Sequence, residues 1–152
     1  MINKNFFWSI FFIISIFLVD RISKILVINL AEEFGEINIP LTPFLNLNLI
    51  WNEGIAFGLF SFDQKNYYNF LTIIIIIITF IVLWMIIKTE KLESLAFMMI
   101  FGGSLGNIFD RLFYSAVPDF IDFHIKNFHW FIFNVADIFI TIGVIMLICN
   151  EV

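Results

Sequence analysis

The sequence predicts an all-α membrane protein: four transmembrane helices with a small extracytoplasmic β-hairpin, or cradle, between helices 1 and 2. Three observations carry this reading. Hydrophobic residues make up 61% of the 152 positions and mean hydropathy is +0.99, well beyond a soluble domain of this length. Four stretches, about 6–30, 67–87, 92–112 and 130–149, each supply the roughly 20 mostly apolar residues a spanning helix needs. The one long polar connection, 31–66, carries strand and turn patterning. A single membrane domain over 1–152 fits the length.

Composition also excludes some functions. The net charge is −5, from 13 acids against 8 bases, and no basic patch is dense enough to hold nucleic acid. The single Cys149 cannot form an internal disulfide, and it lies in an apolar run without a histidine nearby, so it reads as a packing residue.

The first stretch begins like the core of a signal peptide, with Lys4 as its positive end. No small-residue cleavage site follows; Asp20-Arg21 comes next and apolar sequence resumes to Leu30, so an uncleaved span is expected. Asp20 and Lys24 are four apart and share a helix face, either as an ion pair ending the span or as support for a site.

The long connection starts acidic with Glu32, Glu33 and Glu36. Leu45-Asn46-Leu47-Asn48-Leu49 alternates with period two, which is strand patterning. Asn52-Glu53-Gly54 is a turn signal, and Ile55–Phe60 is a second short apolar run, so a hairpin over Leu45–Phe60 is expected. The next two spans are joined by Lys88-Thr89-Glu90-Lys91. These lysines and Lys4 favour a cytoplasmic placement, although Lys65 and Lys126 fall on the other side. Four crossings put both termini on one face, and gather Asp20, Asn52, Asp119 and Asp137 at the opposite one.

Polar groups stand out where lipid-facing sequence should have none. Ionisable groups near the bilayer centre cost roughly 2.5–3.5 kcal/mol on insertion scales, which makes them functional candidates. In the third stretch Gly102, Gly103, Ser104 and Gly106 permit close helix approach, followed by Asn107, Asp110 and Arg111 on one face. Asp110 reads as part of a structural ion pair with Arg111 or a link to another helix. Pro118 biases Val117 toward extended backbone, which holds Asp119 in a defined segment, with Asp122 a second candidate. Asn134, Asp137 and Thr141 share one face at the start of the fourth span; Asp137 could also be a plain acid at a helix N-terminus. Asp119 and Asp137 are separated by 137 − 119 = 18 residues, a loop short enough to let them meet. Two facing carboxylates share a proton, so one can draw a proton from water while the other polarises a carbonyl. No metal is expected: His124 and His129 are five apart in a loop and lack a clear ligand set.

Taken in order, these motifs resemble the lipoprotein signal peptidase (signal peptidase II) family of bacteria. The resemblance rests on Asp20 to Lys24, Asn52-Glu53-Gly54-Ile55-Ala56-Phe57-Gly58, Gly102-Gly103-Ser104-Leu105-Gly106-Asn107-Ile108-Phe109-Asp110-Arg111, Val117-Pro118-Asp119-Phe120 and Phe133-Asn134-Val135-Ala136-Asp137. It covers nearly the whole length and implies an aspartyl endopeptidase of the cytoplasmic (inner) membrane that needs no cofactor. Such an enzyme removes the signal peptide of diacylglyceryl-modified prolipoproteins just before the lipidated cysteine, at the extracytoplasmic face. The resemblance makes Asp119 and Asp137 the catalytic pair, with Asp20, Lys24, Asn52, Gly54, Asn107, Asp110, Arg111, Asn134 and Ala136 lining or bracing the site. Ser115 departs from the glycine common in the family, which leaves the local loop shape open. Membrane lipid is an expected partner. The physical reading agrees, since a lipidated peptide is presented at the bilayer surface: an apolar floor would hold its acyl chains and the hairpin would cradle it. Two other readings compete. A small proton- or cation-coupled transport subunit would set its acids along a mid-membrane path, and a scaffold would need neither acid.

Overall fold

The computed structural model describes residues 4–35, 37–54, 64–126 and 128–151. The described residues form four helices and four strands, in chain order α1 (Lys4–Phe34), β1 (Asn38–Thr42), β2 (Leu45–Asn52), α2 (Gln64–Lys88), α3 (Lys91–Tyr114), β3 (Val117–Ile125), β4 (Phe128–Phe133) and α4 (Val135–Glu151). Two helical segments, Tyr67–Lys88 and Lys91–Tyr114, are long and apolar enough to cross a membrane; the apolar part of α4, Val135–Asn150, is shorter.

The helices are apolar on the outside and polar within. In α1, Asp20 and Lys24 are 0% exposed while Ile22 and Leu26 are more than half exposed. In α2 the buried positions Tyr68, Thr72, Thr79 and Val82 form one stripe, and Ile73, Ile77, Phe80 and Ile81 point outward. The threonine hydroxyls satisfy themselves by donating one turn back, Thr72 to the Tyr68 carbonyl at 2.9 Å and Thr79 to the Ile75 carbonyl at 2.8 Å. This arrangement suits lipid as solvent, where packing and internal hydrogen bonds replace hydrophobic burial as the force between helices.

Helix α3 is central and packs against each of the other three helices. Its glycines permit this. A Cβ on Gly103 would lie 2.6 Å from the Ala136 carbonyl oxygen, and one on Gly106 would collide with the Asp20 carboxylate.

The strands form one antiparallel sheet in the order β1-β2-β3-β4. It is larger than the expected hairpin, and the chain is therefore not all-α. The turn between β1 and β2 lies at Pro43–Phe44, so the alternating 45–49 segment is indeed a strand but pairs backward to β1 and across to β3. The expected partner strand, Ile55–Phe60, lies outside the described residues. Two boundaries also differ from expectation. Residues 31–34, including Glu32 and Glu33, continue α1, and residues 130–133, which read as the start of the fourth span, belong to strand β4. Phe-His-Trp-Phe-Ile-Phe is apolar enough for a helix, but its aromatic and β-branched side chains favour the pleated surface beside β3.

The sheet docks on the end of α1 through Val27, Ile37 and Phe120, with Leu30, Leu47 and Leu49 packed around them. Trp51 meets Tyr114 at 5.4 Å between ring centroids, which ties the end of β2 to the end of α3.

Candidate active site

The site is built where β3, β4 and the first turn of α4 meet the polar interior of α1 and α3. Helix α3 ends at Ser115, whose left-handed backbone (φ 58°) turns the chain sharply into β3. Val117 and Pro118 are buried, and Asp119 follows at 5% exposure. Strand β4 returns antiparallel and delivers Asn134 immediately before α4.

Asn134 and Asp137 close a reciprocal cap on α4. The Asp137 N–H donates to Asn134 Oδ1 at 3.1 Å, and the Asn134 N–H donates to Asp137 Oδ2 at 3.1 Å. This satisfies donors that a helix start leaves unpaired. The Asn134 amide nitrogen is then free to donate to Asp119 Oδ1 at 2.6 Å. One asparagine therefore touches both acids. The other Asp119 oxygen accepts from Asn52 Nδ2 at 2.9 Å, and Asn52 Oδ1 takes the Gly54 N–H at 2.8 Å. Gly54 has φ +76°, which suits glycine at this turn.

From Asp137 the network runs inward. Asn107 Nδ2 donates to Asp137 Oδ1 at 2.8 Å, and Asn107 Oδ1 accepts from Lys24 Nζ at 2.9 Å. An ammonium can only donate and a carboxylate mainly accepts, which fixes the orientation of the Asn107 amide. Lys24 spends its remaining donors on Asp20 Oδ2 at 2.9 Å and Asp110 Oδ2 at 2.6 Å. Arg21 Nη2 sits 2.5 Å from Asp110 Oδ1, and its guanidinium lies over the Phe109 ring at 4.9 Å. Asp20 Oδ1 accepts the Ala136 N–H at 2.9 Å, so α1 supplies an acid to the N-terminus of α4.

The sequence-predicted residues thus converge. Asp20, Lys24, Asn52, Asn107, Asp110, Asp119, Asn134, Ala136 and Asp137 form one hydrogen-bonded chain, with Gly54 holding Asn52. Arg111 is the exception. Asp110 is held by Lys24 and Arg21 of α1, not by Arg111, which donates from Nη1 to the Asn107 carbonyl at 3.2 Å. The link to another helix is the reading that holds for Asp110. Arg21 stands out in the sequence as a cation inside an apolar run that needs a partner, but its spacing does not say that the partner is Asp110 of α3. Asp122 is no alternative to Asp119. Three residues along a strand it points to the other face, where both of its oxygens lie 2.8–2.9 Å from His129 Nδ1.

Burial pushes the Asp119 carboxyl above the usual carboxylate range; the Asn52 and Asn134 amides oppose this, and the charge of Asp137 adds to it. Asp137 is half-buried and opens on an apolar groove of about 200 Å³ lined by Phe131, Phe133, Ile138, Thr141 and Ile142.

The family model described as Signal peptidase (SPase) II matches residues 12–152. The chain belongs to the signal peptidase II family. The lipoprotein signal peptidase of Pelagibacter ubique (strain HTCC1062) is 51% identical over 148 residues, covering 97% of this chain and 89% of that one. The lipoprotein signal peptidase of Francisella tularensis subsp. novicida (strain U112) is 44% identical over 144 residues, covering 91% and 88%. A bacterial membrane enzyme solved by the in meso method at 1.9 Å superposes with a TM-score of 0.77 at 31% identity, covering 95% of this chain and 92% of its own. Signal peptidase II is a protease family, and these likenesses make the chain a membrane protein. The family relationship fits an arrangement in which two acids share one asparagine beside an apolar groove.

Proposed function

We propose that this chain is an aspartyl endopeptidase that removes the signal peptide from diacylglyceryl-modified prolipoproteins, cutting immediately before the lipidated cysteine. One observation carries the chemistry: Asn134 joins Asp119 and Asp137, donating its side-chain amide to one and its main-chain N–H to the other, and both acids are hydrogen-bonded by amides rather than by a cation. Acids held in this way keep a proton that can move.

Asp119, whose burial favours the neutral form, holds the shared proton, and Asp137 is the base. A water between them gives a proton to Asp137 and adds its oxygen to the scissile carbonyl carbon. Asp119 gives its proton to the carbonyl oxygen, which forms a gem-diol. Asp137 then protonates the leaving nitrogen, the C–N bond breaks, and one diol hydroxyl returns its proton to Asp119. This cycle uses no metal and no covalent intermediate.

The groove beside Asp137 supplies an apolar floor for the substrate, and the β1–β2 hairpin, through Asn52, reaches over the pair from the side of the sheet. In this reading all four helices span the bacterial inner membrane. Both termini are cytoplasmic, and the sheet and the two acids lie at the extracytoplasmic face. Asn52, Gly54, Asn107 and Asn134 position the acids; Asp20, Lys24, Asp110, Arg111 and Ala136 brace the helices beneath. Clustering of the acids at one end, against the sheet, favours hydrolysis over a transport path through the bilayer.

The deciding experiment incubates the purified protein with a diacylated lipopeptide that spans the cleavage site. Wild type releases the signal peptide, while Asp119→Asn and Asp137→Asn insert normally and do not. Substantial cleavage by either variant overturns the assignment.

A further inference from the structure

The sequence offered no ligand set for His124 and His129, but folding supplies one. Strands β3 and β4 pair so that His124 stands directly across from His129. Asp122 lies two residues before His124 on the same strand, hence on the same face. One ligand atom from each of Asp122, His124 and His129 lies within 4.8 Å of the others. The two imidazoles stack at 5.1 Å between centroids and 24° between planes. Three features of this group are not explained by packing alone. The Asp122 carboxylate is 0% exposed, and its hydrogen bonds among the described residues come from His129. His124 Nδ1 is buried and has no hydrogen-bond partner among the described residues. The His129 side chain is 52% exposed, which leaves the group open to solvent.

We infer that Asp122, His124 and His129 form a binding site for a divalent transition ion of the zinc class. Two imidazoles and a carboxylate suit zinc and its neighbours, whereas magnesium and calcium prefer oxygen ligands throughout. Ligand bonds of about 2.0–2.1 Å place neighbouring ligand atoms of a tetrahedral ion roughly 3.3 Å apart. The Asp122–His129 contact at 2.8 Å needs to open by a fraction of an ångström, and the His124 ring needs to swing toward the other two. The ion then gives buried Asp122 a full counter-charge, and water takes the fourth position. The site sits on the face of β3 opposite Asp119, so it acts on the β3–β4 pair as a clasp and takes no part in bond cleavage.

The test uses the full chain in detergent, stripped with a chelator and titrated with zinc chloride while thermal unfolding is followed. No substrate is present, so the outcome is independent of the peptidase reading. Zinc raises the melting temperature and magnesium chloride at the same concentration does not. His124→Gln keeps the Asp122–His129 contact and therefore the fold, but weakens the zinc response at least about tenfold. His129→Gln also weakens the zinc response, while Asp119→Asn responds like wild type. Cobalt substitution gives visible absorption bands in wild type that His124→Gln lacks. The site is refuted if wild type shows no zinc-specific shift, or if His124→Gln retains the full response, or if the response is lost in Asp119→Asn instead.

Discussion

Two pairs of acids lie in one hydrogen-bonded network, and they are wired in opposite ways. Asp20 and Asp110 face Lys24 and Arg21, so two negative charges meet two positive ones in a fully buried, neutral cluster between α1 and α3. Asp119 and Asp137 face Asn52, Asn107 and Asn134. A carboxylate locked to cations through both of its oxygens has none left to face a substrate. A carboxylate held only by neutral amides can take up a proton without leaving a buried cation unpaired. In the proposed mechanism the difference separates bracing acids from working acids among residues that look alike in composition. Asn107 is the joint between the two, with its oxygen on Lys24 and its nitrogen on Asp137.

The comparison breaks most sharply on the working pair. Asp119→Asn or Asp137→Asn is expected to lower kcat by about 10⁴-fold, the upper range for a positioned acid or base. The melting temperature should hold within a few degrees, because the amide keeps the shape and leaves no charge stranded. Lipopeptide cleavage and thermal unfolding, measured on the same preparations, check this. The opposite outcome is expected in the neutral cluster. Asp110→Asn leaves Lys24 and Arg21 facing the single anion Asp20, and loss of one member of a buried pair costs about 3–5 kcal/mol. The variant should melt much earlier and accumulate poorly, and the fraction that folds should still cleave. If Asp110→Asn is instead stable and inactive, the division between the two groups fails.

The helices and the residues of the network were legible in the sequence because each leaves a local signal. Apolar runs of span length mark α2 and α3, and polar groups inside such runs mark Asp20, Asn107, Asp110 and Asp137. The spacing of Asn134 and Asp137 also matched a helix-capping pair, a signal that would have placed the start of α4 correctly. The sheet was far less legible. Strand β4 continues the hydrophobicity of α4 with only Asn134 between them, so periodicity alone cannot split them. Strand β2 was visible by alternation, but its partners are set by long-range pairing: Asn46 opposes Asp122, and Ile50 opposes Asp119. For the same reason the meeting of Asp122, His124 and His129 could not be read from spacing, and nor could the reach of Arg21 to Asp110.

A smaller effect sharpens the view of the working pair. The Asn52 amide stabilises the Asp119 anion, so Asn52→Ala removes a contribution that lowers the pKa, and burial then pushes it further up. In the proposed mechanism Asp119 holds its proton for the carbonyl step, so activity is expected to be lost as pH rises through that pKa. The basic limb of the kcat/KM profile is therefore expected to move to higher pH in Asn52→Ala, with a loss near the optimum of about 1 kcal/mol, the usual worth of a hydrogen bond. A limb that moves to lower pH would exchange the roles of the two acids.

The smallest effect tests the hinge between the two regions. Ser115 joins α3, which carries Asp110, to β3, which carries Asp119, and it does so at φ 58°, where a side chain crowds its own backbone. Glycine avoids that crowding but brings a more flexible unfolded chain, so Ser115→Gly is expected to stabilise by only about 0.5–1 kcal/mol. For a chain of this size that is a rise of roughly 2–4 °C per kcal/mol in melting temperature. Both neighbours of the hinge are fixed by their own contacts: Asp110 by two cations, Asp119 by two amides. The turn therefore has no freedom to transmit, and cleavage should be unchanged in Ser115→Gly. A variant that melts higher but cleaves more slowly would mean that the crowded serine backbone, and not the amides alone, holds Asp119 against Asp137.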